Sequence, residues 1–186
     1  MAASRKTQWI ERPLGALGAA FLAAEAGAHD LARAVLADRY GVVDAAIDHD
    51  RRGAPFLPGR ADLHISLAAR GGLAAFACAR APVGVDVEPL ADSFEPPWGV
   101  LHAREAALLR QNPEHAMFLR IWTGKEAYLK ARGLGLRREP AEFAALPGAA
   151  ETLQIEDCGR LVACEGFSRR DACAGLTAVW TALALV

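Results

Sequence analysis

The stretch LHISLAARGGLAAFACARAPVGVDVE, residues 63–88, carries the decision about the fold. Apolar residues run through it in short blocks, Arg70-Gly71-Gly72 interrupts it as a turn, and Arg80-Ala81-Pro82 breaks it again. The pattern predicts strand, turn, strand, short break, strand, as one compact antiparallel unit. Its last segment, VGVDVE, places Asp86 and Glu88 among valines. On a strand, alternate side chains share a face, so the two carboxylates point the same way about 7 Å apart, and Val85 and Val87 point the other way.

Upstream, the Ala/Leu-rich run from Leu14 to Arg39 predicts a helix interrupted near Gly27 and ending before Tyr40-Gly41-Val42. Residues 48–62, DHDRRGAPFLPGRAD, read as a Gly/Pro-rich connector. Downstream, EPPWG at 95–99 breaks the chain and VLHAREAALLRQ reads as a helix. NPEH restarts one, with Asn112 as cap and Pro113 at the first position, running to about Arg132. After GLGL at 133–136 the segments LQIED, GRLVACEGF and GLTAVWTALALV read as strands. The second half repeats the plan of the first, helix and then antiparallel strands, and GLAAFA from Gly72 is echoed by GLTAVW from Gly175. The expected fold is therefore α+β, a pseudo-dimer of two similar lobes, 1–82 and 83–186, with a cleft between them.

With 186 residues, 53% hydrophobic and 23% charged, the chain suits one functional unit that buries about 70% of its unfolded surface, and disorder is not expected over most of it. The net charge of −1 offers no general attraction to nucleic acid or anionic lipid. Charge is nevertheless uneven: residues 100–138 hold eight Lys or Arg against Glu105, Glu114 and Glu126, a basic stretch suited either to an acidic partner or to a solvated helix face. Cys78, Cys158, Cys164 and Cys173 show no CxxC spacing and read as reduced core residues, and the five histidines form no zinc pattern. The N-terminal stretch carries no apolar leader, and the apolar run at the C-terminus is too short to span a bilayer. A cytoplasmic protein, neither secreted nor inserted in a membrane, is expected.

Two carboxylates on one strand face either meet solvent or are joined by a cation. Mg²⁺ suits them, since it takes one or two carboxylates and completes its octahedron with waters and phosphates. The second cluster is FLRIWTGKEAYLKARGLGL, residues 118–136, where Lys130 follows Glu126 by one helical turn. That spacing makes either a surface ion pair or a working pair, with Glu126 as metal ligand or general base and Lys130 holding phosphate charge.

PVGVDVE followed by WTGKEAYLKARGLGL resembles the paired signatures of the 4′-phosphopantetheinyl transferase superfamily, GxDxE and then W-x-x-KEAxxK-x-x-G-x-G-L. The resemblance extends from about His29 to the C-terminal strand, and the two-lobed α+β plan is the family's fold. It implies that Asp86 and Glu88 bind Mg²⁺ and that Glu126 completes the metal site and deprotonates a serine of an acyl or peptidyl carrier protein. It further implies that Lys130 stabilises the pyrophosphate of coenzyme A as 3′,5′-ADP leaves. Glu105 falls where the family often has another acid. Carrier proteins are acidic, which agrees with the basic stretch, and two lobes in one chain imply a monomer.

Three positions depart from the family pattern. Ala68 and Ala69 stand in its serine and histidine slots, and Ala54 stands in the middle of its GKP or GRP motif. Arg70, Arg52, Arg33 and Lys125 are the candidates to hold coenzyme A instead, with Arg51 as a further neighbour. The expected function is Mg²⁺-dependent transfer of 4′-phosphopantetheine from coenzyme A to a carrier-protein serine. The alternatives are a non-catalytic relative that binds a carrier protein or partner enzyme, and an enzyme using another phosphorylated donor.

Overall fold

The computed structural model describes residues 8–91 and 94–186. In chain order these form strands β1 (Ile10–Leu14) and β2 (Gly18–Ala24), helix α1 (Ala28–Tyr40), the short strands β3 (Asp48–His49) and β4 (Pro55–Phe56), and strands β5 (His64–Arg70), β6 (Leu73–Ala79) and β7 (Val83–Pro89). Helices α2 (Ala103–Gln111) and α3 (His115–Ala131) follow. Strands β8 (Phe143–Pro147), β9 (Leu153–Asp157), β10 (Arg160–Val162), β11 (Cys164–Cys173) and β12 (Leu176–Leu185) complete the chain. The fold is α+β, with every paired strand antiparallel.

Two sheets organise the molecule, one in the order β1-β2-β6-β5 and the other β11-β12-β7. The arrangement β2-β6-β5 around α1 recurs as β7-β12-β11 around α3, with the turns before Leu73 and Leu176 at matching places. This recurrence is compatible with a two-lobed plan. The inner faces of the two sheets meet in one core, where Leu73, Ala75, Ala77 and Ala79 of β6 pack with Val83, Val85 and Val87 of β7 and Ala178, Trp180, Ala182 and Ala184 of β12. On the outer face of β6, Ala74, Phe76 and Cys78 pack against Leu31, Ala32, Val35 and Leu36 of α1.

Several expectations change. The run from Leu14 to Ala24 belongs to a β-hairpin, not a helix, and only Ala28–Tyr40 is helical. Alanine favours helix intrinsically, but β2 lies between β1 and β6 and is buried on both faces, where small side chains let other layers approach closely. Gly18 shows the tightness: a Cβ there would sit 2.1 Å from the Cys78 carbonyl oxygen. Residues 63–88 do not form one antiparallel unit, because β7 leaves β5 and β6 and pairs with β12, Asp86 lying opposite Thr181. Helix α3 starts after Glu114, while Asn112 terminates α2. Of the cysteines, all free, Cys78 is buried but Cys158 is exposed in the turn between β9 and β10.

Candidate active site

Helix α3 is buried nearly all round, the mark of a helix enclosed by its own fold. From Ile121 to Ala131 the partly exposed residues are Trp122, Glu126 and Lys130, spaced by four and therefore on one stripe. The buried stripe beside it, through Ala127 and Ala131, lies against β7. Gly84 makes the close approach possible, since a Cβ there would sit 1.8 Å from the Ala127 carbonyl oxygen, and the next residues on the same strand face are Asp86 and Glu88.

β7 is an edge strand of its sheet, so the outward peptide groups of Val85 need partners from elsewhere. Its N–H donates to Ser66 Oγ at 3.1 Å, and its carbonyl accepts from Lys130 Nζ at 3.0 Å. Lys130 Nζ also donates to Asp86 Oδ1 at 2.7 Å. The lysine thus bridges to β7 instead of pairing along its own helix with Glu126.

Around this bridge negative charge accumulates. Burial pushes the Asp86 carboxyl up from the usual range, with Lys130 opposing the shift. Burial also raises Glu88, reinforced by the charge on Asp86, while Arg70 Nε stands 3.5 Å from its carboxylate. Glu126 is raised by burial first and then by Asp86, with Lys130 opposing. Its carboxyl makes no hydrogen bond or ion pair among the described residues, which leaves it open to accept a proton. Asp86 Oδ2 is buried and has no hydrogen-bond partner among the described residues.

These features suit a hard cation: a buried, unpartnered carboxylate oxygen beside a second carboxylate, with more acid than base nearby. Among the described residues no three His, Cys, Asp or Glu side chains converge as a ready-made cage. An ion that takes one or two carboxylates and completes its shell with water and phosphate requires no such cage.

A cavity of about 480 Å³ adjoins the bridge. The loop at Arg52, Gly53, Ala54 and Pro55 forms one wall and the segment from Gly133 to Arg137 another, with Ile65, Ser66 and Leu67 between them and Lys130 reaching in. Of the arginines expected to bind a donor, Arg52 lines this cavity. Arg70 faces Glu88, Arg33 stands on α1 with Asp30 3.8 Å away, and neither is among the lining residues. Ala54 is in the wall, whereas Ala68 packs on the inter-sheet core and Ala69 is exposed.

Lys125 is corrected outright. Its side chain is fully buried, pairs with Glu105 at 2.8 Å, and donates to the carbonyls of Pro140 and Phe143 at 2.6 Å each. Glu105, also fully buried, accepts from the N–H groups of His102 and Ala145. Both residues therefore join α2, α3 and β8 under the site rather than facing a metal or donor. Sequence reasoning left three neighbours without roles. Ser66 and Arg137 line the cavity, and His115, stacked on Phe94 at 4.6 Å, lies near enough to Glu88 to oppose the upward shift of its carboxyl. Ser66 and His115 reach their places through non-local contacts that no local pattern announces, whereas the glycine turn before Arg137 is local.

The chain from 82 to 172, covering β7 to most of β11, matches the model of the 4′-phosphopantetheinyl transferase superfamily. Over this span the chain is similar to that superfamily. Phosphopantetheine transfer is the superfamily's general reaction, and Asp86, Glu88, Glu126, Lys130 and Arg137 all lie within the matched span. Arg52, Ala54, Ser66, Ala68 and Ala69 lie before it. No curated protein matches the chain.

Proposed function

We propose that the protein transfers the 4′-phosphopantetheine group of coenzyme A to a serine hydroxyl of an acyl or peptidyl carrier protein, with Mg²⁺ as cofactor. The observation that carries this function is the position of Lys130, which lines a nucleotide-sized cavity and binds Asp86 next to Glu126.

In this mechanism the cavity holds the nucleotide end of the donor, with Arg52 at its wall. Lys130 neutralises the diphosphate where it leaves the cavity. Asp86 and Glu88 would hold the ion, and bound Mg²⁺ would neutralise phosphate charge and orient the reacting phosphoryl group. Glu126 accepts the serine proton as Oγ attacks the β-phosphorus. The new Oγ–P bond replaces the bond from that phosphorus to the bridging oxygen, and 3′,5′-ADP leaves with the bridging oxygen and its electron pair. Burial keeps the Glu126 carboxyl basic enough for this task. The basic stretch 100–138 includes Arg104 and Arg110, both exposed, which suit an acidic carrier surface. A monomer in the cytoplasm fits the same proposal. Among the described residues no helix is long and apolar enough to cross a membrane.

Ala54 in the cavity wall, which brings no charge, favours a second function: a relative that binds a carrier protein or partner enzyme without catalysis, or that uses another phosphorylated donor. Intact-mass measurement distinguishes these outcomes. Apo carrier proteins incubated with coenzyme A, Mg²⁺ and this protein should gain the mass of one phosphopantetheine group. No gain on any carrier from the same source, together with no coenzyme A binding by calorimetry, overturns the transferase proposal.

A further inference from the structure

Arg137 and Arg138 are consecutive residues with opposite fates. Arg138 is clamped on Asp157 through both terminal nitrogens and is half-buried. Arg137 is exposed, lines the cavity, and its guanidinium makes no hydrogen bond or ion pair among the described residues. Its place is set by the segment after α3, where Gly133 and Gly135 take φ values of +61° and +55° and Leu134 N–H closes on the Leu129 carbonyl. Such left-handed backbone favours glycine, so the turn that presents Arg137 is encoded locally.

Arg52 lies on the opposite wall. Its loop is braced by Asp50 Oδ1, which accepts from Arg52 N–H at 2.7 Å and Ala54 N–H at 2.9 Å, and these backbone donors hold the Asp50 carboxyl below its usual range. Asp50 is thus used to shape the loop, and the Arg52 guanidinium is left with no hydrogen bond among the described residues. Lys130 commits two of its three donors to Val85 and Asp86 and has one to spare toward the cavity. Three cations from separate segments facing one cavity repel unless an anion lies among them. Pro55, Ile65, Leu67 and Leu134 add apolar wall between the charges, a surface suited to a flat ring. Together these features describe a cavity for a nucleoside phosphate, with arginine forks at two sides.

We propose that Arg137 binds a phosphate group of the donor from the C-terminal side of the cavity, opposite Arg52, and so sets donor affinity. The proposal deepens the transferase function and rests on it for the identity of the donor.

The test uses the full chain with Arg137→Ala and Arg137→Lys. Transfer to an apo carrier protein gives KM for coenzyme A and kcat, and calorimetry with 3′,5′-ADP alone gives nucleotide affinity without turnover. Loss of a charged phosphate contact predicts a roughly 10- to 100-fold rise in KM and in the 3′,5′-ADP Kd for the alanine variant. The effect on kcat should be smaller, and lysine should recover part of the affinity. Both constants within twofold of wild type in a normally melting Arg137→Ala protein overturn the Arg137 assignment and leave the transferase function standing. A wild-type protein that binds 3′,5′-ADP in an Arg137-dependent manner but transfers nothing supports the assignment and removes the transferase function. Absence of 3′,5′-ADP binding to the wild type overturns the assignment.

Discussion

Lys130 on α3 reaches across to β7 and donates to Asp86 Oδ1 at 2.7 Å, so that one ammonium touches both the acid cluster and the adjoining cavity. Removing it leaves Asp86 buried without its nearest countercharge and, in the proposed mechanism, the diphosphate without a cation. Lys130→Ala should lower kcat/KM for coenzyme A about 10²- to 10³-fold, the usual cost of losing a preorganised electrostatic contact. Steady-state kinetics checks this, and a rate near wild type would detach Lys130 from the chemistry.

Glu126 carries a pH signature. Its folded carboxyl is raised by burial and by Asp86, so it sheds its proton later than a free glutamate near 4.3. In the proposed mechanism only the ionised form accepts the serine proton, so kcat/KM should rise with pH along a limb displaced above the ordinary glutamate range. Glu126→Gln should abolish most turnover. The stability sign is opposite: a raised carboxyl gives full stability below its unfolded pKa and loses it as pH rises through the folded value. The glutamine variant should therefore melt higher than wild type at neutral pH in metal-free buffer.

The Lys125–Glu105 pair should behave as structure. Taking away one member of a fully buried pair strands the other charge, and Lys125→Met should cost about 3 to 5 kcal/mol in chemical denaturation. The double change with Glu105→Leu should recover part of that loss, because no charge is then left buried. If Lys125→Met keeps full stability and only raises KM, the lysine belongs to donor binding after all.

Asp157 reports on the strand layer beneath the site. Hydrogen bonds from Arg138, and secondarily from Tyr128, hold its carboxyl well below the usual range. A depressed carboxyl contributes stability above its unfolded pKa of about 3.9 and loses it as pH falls through the folded value. Asp157→Asn should cost about 2 kcal/mol at pH 7, with the difference from wild type shrinking below about pH 4. Urea titrations at the two pH values make the comparison.

Gly84 sets the distance between helix and strand. Gly84→Ala would drive a methyl into the Ala127 carbonyl, backbone that cannot rotate aside. A loss of about 3 kcal/mol or more is expected, together with reduced activity, since the strand carrying Asp86 would be pushed away from the helix carrying Glu126.

Local periodicity explains which features are legible in the sequence alone. Two-residue alternation put Asp86 and Glu88 on one face, and four-residue spacing put Glu126 and Lys130 on one stripe of α3. Composition misled where burial overruled propensity: the alanines of β2 sit between two strands and two packed layers, and nothing in GAAFLAA distinguishes that surrounding from a helix. Lys125 misled for a related reason. Its position next to Glu126 turns it about 100° away around the helix, toward Glu105 and the interior.

By itself the sequence determined which side chains can share a face, because strand and helix repeats are short-range properties of the chain. It also carried the paired motifs that mark residues 82–172. Only the tertiary structure decided which partner each charge takes. β7 is an edge strand whose Val85 peptide needs a donor and an acceptor, and packing brings Lys130 and Ser66 to it from segments distant in sequence. The same packing leaves Asp86 Oδ2 buried without a partner and Arg137 facing the cavity. Such choices follow from solvent exclusion across non-local contacts, and no local repeat encodes them.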